Sequence, residues 1–151
     1  MKVVLQRVNR AKLTSDDFSS EIGFGLLATV GVNVNDTIND VKYLARKIAN
    51  LRIFKDENNK CNLSLLDVSG EIMVVSNFTL QATIKSGTRP DFSKAGDSEN
   101  AYNLYMLLAK EFETLDCKKV ALGNFGHHMH IDCELDGPFN LIIESEGREN
   151  E

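Results

Sequence analysis

Apolar and polar positions alternate along this chain in two rhythms, and most of its elements can be read from where one gives way to the other. Residues 2–13 open as a strand rich in Val and Leu with no breaker. After Gly23-Phe24-Gly25, the run Leu26-Leu27-Ala28-Thr29-Val30-Gly31-Val32 is almost wholly apolar and predicts a second, mostly buried strand. The period then changes. Ile38, Val41, Leu44, Ala45, Ile48 and Leu51 recur at helical spacing behind Asn35-Asp36-Thr37, with Asp40 three after Thr37 as a capping-box partner. Arg52-Ile53-Phe54 reads as a short strand closed by the turn-rich Asp56-Glu57-Asn58-Asn59, and Gly70 opens a strong strand over 72–80. A polar loop follows over about 81–97. Asp97 or Ser98 then caps a second helix whose stripe is Ala101, Leu104, Tyr105, Leu108 and Phe112. Strand signals over 119–122, 127–135 and 139–143 close the pattern, and an acidic tail over 145–151 is expected to fray.

Many strands and two separated helices, without regular alternation of the two, predict a sheet-rich α/β or α+β domain rather than a doubly wound fold. At 151 residues the chain suits one domain, and 42% hydrophobic content is ordinary for a folded soluble protein. The apolar run at the N-terminus is too short for a signal-peptide core and no stretch is long enough to span a bilayer, so a cytoplasmic address is expected. Cys61, Cys117 and Cys133 are odd in number, far apart and without a CxxC pair, and read as reduced thiols. A formal net charge of −5 argues against a general nucleic-acid binder but leaves room for a local basic patch.

Several constellations invite chemistry. Gly23-Phe24-Gly25-Leu26-Leu27-Ala28 matches a dinucleotide fingerprint in letters, yet it runs into strand-like sequence instead of a helix, so a turn before a buried strand is the better reading. Strand alternation over 127–135 puts His128, His130, Asp132 and Glu134 on one face. That set can hold zinc, but a wetted strand face produces the same pattern, and no metal site is assigned. Alternation places Arg7 on the core side with Val3 and Leu5. A guanidinium there needs partners, either a structural ion pair or a backbone loop that it orders. Ser76-Asn77-Phe78-Thr79-Leu80 finishes an apolar strand with polar residues. If it stays extended, Asn77 and Thr79 share one face, and exposed N–H groups beyond the pairing can form an oxyanion hole. Asp136-Gly137-Pro138 reads by default as an ordinary turn.

Taken together, these residues resemble the D-aminoacyl-tRNA deacylases, formerly named for D-tyrosyl-tRNA. The resemblance is carried by Met1-Lys2-Val3-Val4-Leu5-Gln6-Arg7-Val8, Ile22-Gly23-Phe24-Gly25-Leu26-Leu27, Leu51-Arg52-Ile53-Phe54, Asn62-Leu63-Ser64-Leu65-Leu66-Asp67-Val68 and Arg89-Pro90-Asp91-Phe92. It is co-linear from residue 1 to about 144, which bounds a single deacylase domain. Ser76-Asn77-Phe78-Thr79-Leu80 is similar to the family's Ser-Gln-Phe-Thr-Leu, and Asp136-Gly137-Pro138-Phe139 to its Gly-Pro element. Asn77 stands in place of Gln, Leu135 in place of an Asn and Asn140 in place of a Thr.

The resemblance implies a homodimer of compact β-barrel-like subunits with two flanking helices. It implies hydrolysis of the ester of D-aminoacyl-tRNA, with glycyl-tRNA as a further substrate. Gly137 and Pro138 are then the chiral filter, joined by a cis bond and reaching into the partner subunit's pocket, with Arg7 bracing their loop. Ser76, Asn77, Phe78 and Thr79 form the catalytic segment, Phe92 and Met129 neighbour the terminal adenosine, and Lys85, Arg89 and Lys94 meet acceptor-end phosphates. No cofactor or metal is expected, because an aminoacyl ester is already activated. Two rivals follow from the same kinship: an editing domain that removes L-serine, as in archaeal threonyl-tRNA synthetases, and a DNA-binding module without deacylase activity.

Overall fold

The computed structural model describes residues 1–146. It is a sheet-rich α/β fold whose main sheet curls into a nearly closed barrel with two helices on one side. Strands β1 (Lys2–Ser15), β2 (Phe18–Ile22), β3 (Gly25–Gly31), β6 (Glu71–Ser76) and β7 (Lys119–Leu122) run in the order β2-β1-β3-β6-β7. The long β8 (His130–Glu144) also pairs with β1. Beside the sheet lies a small hairpin of β4 (Phe54–Lys55) and β5 (Cys61–Leu63). The barrel is drawn together where the Ser20 hydroxyl of β2 donates to the Leu122 carbonyl of β7 at 2.7 Å.

β3 pairs in parallel with β6, and β6 with β7, and this central group is buried on both faces. Leu26, Ala28 and Val30 of β3, with Ile72 and Val74 of β6, face the helices, while Leu27, Met73 and Val75 face the barrel interior. That explains why both strands read as near-continuous apolar runs. The outer layer is helix α1 (Ile38–Asn50) and helix α2 (Ser98–Thr114). Val41, Leu44, Ala45 and Ile48 of α1 meet Leu104, Tyr105, Leu108 and Phe112 of α2 in the core, as the periodicity predicts. At the head of α1 the Asp40 carboxylate accepts from both the amide and the hydroxyl of Thr37, each at 2.8 Å. Asp97 caps α2 by accepting from the Asn100 amide.

Several expectations need correcting, among them the short strand read at Arg52-Ile53-Phe54, which lies at Phe54–Lys55, and Ile38 of the α1 stripe, which is exposed. A strand at Phe18–Ile22 was missed because its residues are mostly polar and exposed; Asp16, at φ 49, makes the tight turn that returns it to β1. The strand expected over 72–80 stops at Ser76, and Phe78–Gln81 is a 3₁₀ helix. Asn77 and Thr79 therefore do not share a strand face. The two strands expected over 127–135 and 139–143 are one strand, β8, which begins at His130, so His127 and His128 lie in the preceding turn. Ser145, assigned to a frayed tail, is buried, with its amide donating to the Met1 carbonyl at 2.9 Å; residues 147–151 of that tail lie outside the described residues.

Ladder register shows where β1 and β8 part company. Gln6 faces Asn140 and Val8 faces Leu135, so the single residue Arg7 spans the four residues 136–139. A second irregularity follows between Val8 and Arg10. It shifts the inward parity of β1, from Val3 and Leu5 on the helix side to Ala11 and Leu13 in the barrel.

Candidate functional site

A 430 Å³ pocket opens at the end of the parallel strands, where β3 and β6 stop and α2 begins. Val30 and Val32, Ser76 to Phe78, Tyr105, Phe125, His127 and Met129 are among its lining residues. The end of β6 and the turn after it contribute Ser76, Asn77 and Phe78 to the lining. The Asn77 amide still pairs with the Val30 carbonyl at 2.8 Å, after which the chain winds into the 3₁₀ helix Phe78–Gln81. The first N–H groups of such a helix, here those of Phe78 and Thr79, have no acceptor within it. N–H groups at such a helix start can receive developing negative charge.

This turn is fastened from below by a residue that sequence reasoning passed over. Gln81 is buried; its Nε2 donates to the Gly31 carbonyl at 2.7 Å and its Oε1 accepts from Asn33 Nδ2 at 3.0 Å. A Cβ on Gly31 would sit 2.8 Å from Leu80 Cβ and 3.0 Å from the Asn77 carbonyl, so only glycine lets the turn pack this closely on β3. A glycine inside an apolar strand was the available signal. Tyr105 ties the opposite wall. Its hydroxyl donates to the Val74 carbonyl at 2.6 Å and accepts from the Gly123 amide at 3.1 Å. Burial pushes its ionisation up to about 12, so it remains a neutral donor at ordinary pH.

The residues singled out from the sequence fall into three groups. Ser76, Asn77, Phe78 and Met129 line the pocket. Thr79 is exposed beside it, and its hydroxyl donates to Asn77 Oδ1 in a short contact. A carboxamide oxygen is not a base, so this contact does not activate Thr79 as a nucleophile. Phe92 packs edge-on against Phe78, with ring centroids 5.1 Å apart. It is held there by Asp91, which accepts from the Ser93 amide and hydroxyl, at 2.9 Å each. Those hydrogen bonds keep the Asp91 carboxyl below its usual range. Thr83 and Asp91 bridge the base of the polar loop, leaving Lys85 and Arg89 exposed on its finger and Lys94 exposed beyond it.

Arg7, Gly137 and Pro138 form a separate corner and do not line the pocket. Arg7 is 4% exposed. Its Nη1 donates to the Ile53 carbonyl at 2.6 Å, and its Nε lies 2.8 Å from Asp136 Oδ2, off the N–H direction, as an ion pair rather than a hydrogen bond. Its guanidinium carbon sits 4.7 Å from the centroid of the Phe139 ring. Both groups left open for Arg7, an ion pair and a backbone partner, are thus present. Asp136 and Phe139 bracket Gly137 and Pro138, which are exposed and joined by a cis bond.

The histidines do not converge. His127 Nδ1 pairs with Asp16 at 3.3 Å and the His128 and His130 rings meet edge to face. Among the described residues no group of three His, Cys, Asp or Glu is placed to hold a metal ion. Nor is any described helix long and apolar enough to cross a membrane. Gly25 opens β3 rather than a helix, and a Cβ there would strike the Glu71 carbonyl, which accounts for this glycine without a nucleotide.

Comparison with known proteins agrees with this geometry. A D-aminoacyl-tRNA deacylase of Staphylococcus epidermidis is 45% identical over 146 residues, covering 97% of each chain. One of Flavobacterium psychrophilum is 46% identical over 150 residues, covering 99% of this chain and all of that one. Among solved structures, a c-Myc DNA unwinding element binding protein superposes with a TM-score of 0.88 at 35% identity, over 95% of this chain and 98% of that one. A probable eukaryotic D-amino acid tRNA deacylase shares the fold at a TM-score of 0.85 and 14% identity, over 94% and 97%. The model of the D-Tyr-tRNA(Tyr) deacylase family matches residues 4–144, which takes in both the pocket and the Arg7 corner, and the chain belongs to that family.

Proposed function

We propose that this chain hydrolyses the ester joining a D-amino acid to the 3′ end of tRNA and spares the L-form. The observation that carries the reading is the near-full-length kinship to D-aminoacyl-tRNA deacylases, joined to a pocket lined by Ser76, Asn77 and Phe78 at the start of a 3₁₀ helix. Water adds to the ester carbonyl, and the oxyanion is received by the Phe78 and Thr79 amides. The carbon–oxygen bond then breaks, releasing the amino acid and returning a proton to the ribose oxygen. Rate comes from positioning and oxyanion stabilisation on an activated ester, without a cofactor. The terminal 2′-hydroxyl of the tRNA assists, and Thr79 acts through its backbone.

In this reading residues 1–144 act as one cytoplasmic deacylase domain and the working unit is a homodimer. Gly137 and Pro138 are supplied to the partner's pocket, where their carbonyls crowd the α-carbon so that an L side chain has no room. Arg7 holds their loop through Asp136 and Phe139. Phe92 and Met129 flank the terminal adenosine, and Lys85, Arg89 and Lys94 meet the acceptor-end phosphates. A filter that works by excluding a side chain cannot reject glycine, so glycyl-tRNA is also hydrolysed.

Turnover of matched D- and L-aminoacyl-tRNA by the purified protein is the test. Strong preference for the D-ester is expected, with activity unchanged by chelator. Equal turnover of the two, or complete loss with chelator, would sink the reading. One solved relative is named for binding a DNA unwinding element, and the rival it raises is DNA binding without catalysis. The net charge of −5 weighs against it, and titration with DNA beside the ester assay separates the two.

A further inference from the structure

Away from the pocket, the sharpest departure from the chain's average charge lies on α1 and just beyond it. The chain has 22 acidic against 17 basic side chains, yet residues 41–55 contain Lys42, Arg46, Lys47, Arg52 and Lys55 and no acid. Lys42 and Arg46 are exposed one turn apart, on the outer side of a helix whose inner side is Val41, Leu44, Ala45 and Ile48. A groove runs along this surface, lined by Lys42, Arg46, Lys47 and Arg52, with Asn39 ahead of them and Asn50 between Lys47 and Arg52. Arg52 is fixed at its far end, its Nε donating to the Asn62 carbonyl at 3.0 Å. The acid near Arg52, Asp67, accepts from the Ser64 amide at 2.8 Å and also feels the Arg52 charge.

The segment that leads into α1 is tied to the pocket wall. The Val34 amide donates to the Lys94 carbonyl at 2.9 Å and Asn33 bridges Ala95, which lines the pocket. α1 starts four residues after Val34, and helical rise sets Lys42 ~6 Å and Arg46 ~12 Å beyond Ile38. We propose that this groove is a docking track for the sugar-phosphate backbone of the double-stranded acceptor stem of tRNA, continuing the path of the strand whose end enters the pocket. Arginine forks and lysine ammoniums suit phosphates, and the Asn39 and Asn50 carboxamides suit ribose 2′-hydroxyls, the groups by which proteins read RNA duplexes. The identity of the RNA rests on the deacylase reading above; the phosphate chemistry of the groove does not.

Two measurements on the full protein test this separately from catalysis. The first is binding of uncharged tRNA, followed by fluorescence anisotropy across a salt series. The Lys42→Ala/Arg46→Ala variant should bind about tenfold or more weakly at low salt, with the log–log salt slope reduced by about 2. The second is turnover of D-aminoacyl esters of full tRNA and of the 3′-terminal trinucleotide alone. The variant should show a raised KM and an unchanged kcat on tRNA and wild-type kinetics on the trinucleotide, which also certifies its fold. Unchanged affinity and slope, or equal losses on tRNA and trinucleotide, overturn the track. If the double variant loses tRNA affinity and slope as expected yet the wild-type protein cleaves no D-ester, the track stands and the deacylase reading falls.

Discussion

The turn at Phe78–Gln81 and the corner at Asp136–Phe139 are both bends at polar sequence, but they are held by opposite means. The first is pinned from inside the chain. Gln81, 7% exposed, joins Gly31 and Asn33, and the turn lies against β3 as tightly as a glycine allows. The second bulges out of a ladder between β1 and β8, with Gly137 and Pro138 exposed and Arg7 gripping only the residues on either side. One bend is finished within the chain's own core. The other is braced at its base and presents its tip to solvent.

The contrast can be broken most severely at Gln81. Gln81→Ala removes one partner each from a buried carbonyl and a buried carboxamide, and should cost about 2–4 kcal/mol in denaturant unfolding. Activity should fall with it as the turn loosens. Arg7→Ala should cost less, about 2–3 kcal/mol, because Asp136 is partly exposed and water can replace the lost cation. Its larger effect should be on activity, since Asp136 and Phe139 lose their common anchor. Arg7→Lys should not restore it, because an ammonium cannot serve the Ile53 carbonyl, Asp136 and the Phe139 face at once.

These two regions were also unequally legible. The helices, β1 and β3 follow from period and capping alone, and Arg7 was placed on the core side by strand parity, which holds as far as the bulge after Val8. The turn at Phe78 was misread as strand, since Phe78, Thr79 and Leu80 have ordinary β propensity. What stops the strand is tertiary, the pairing of Gln81 with groups 48 and 50 residues away. β2 was missed for the converse reason, being a polar edge strand that hydrogen-bonds without burying much. Phe125 and His127 reach the pocket from the turn before β8, a placement no local pattern carries.

A smaller effect is expected at Tyr105, which spans β6 and the turn after β7. Tyr105→Phe should cost about 1 kcal/mol through the lost hydrogen bonds. Its pH signature is more telling. Burial raises the folded-state ionisation from an ordinary 10.0 to about 12, so this contribution to stability is whole below pH 10 and lost as pH rises from 10 to 12. Between those limits the wild-type protein should lose stability more steeply than the Phe variant. Cys117, raised by burial to about 11, is common to both and cancels in the comparison. The smallest effect should come from Thr79→Ala, which keeps the backbone amide and should keep most of the turnover. A trapped acyl-enzyme at Thr79 would reverse that assignment.

The most direct measurement is complementation between the two bends. A Gly31→Leu variant, which disrupts the inner turn, and a Gly137→Ala variant, which strains a residue at φ 127 in the outer corner, should each be nearly inactive on D-aminoacyl-tRNA. Mixed under conditions that exchange subunits, they should form heterodimers in which one of the two sites has both bends intact. D-selective activity should return to about a quarter of the wild-type value, since about half of the dimers are mixed and each holds one good site. Activity no greater than the sum of the two variants, in a mixture shown to contain heterodimers, would mean that both bends serve the same chain and would contradict the account.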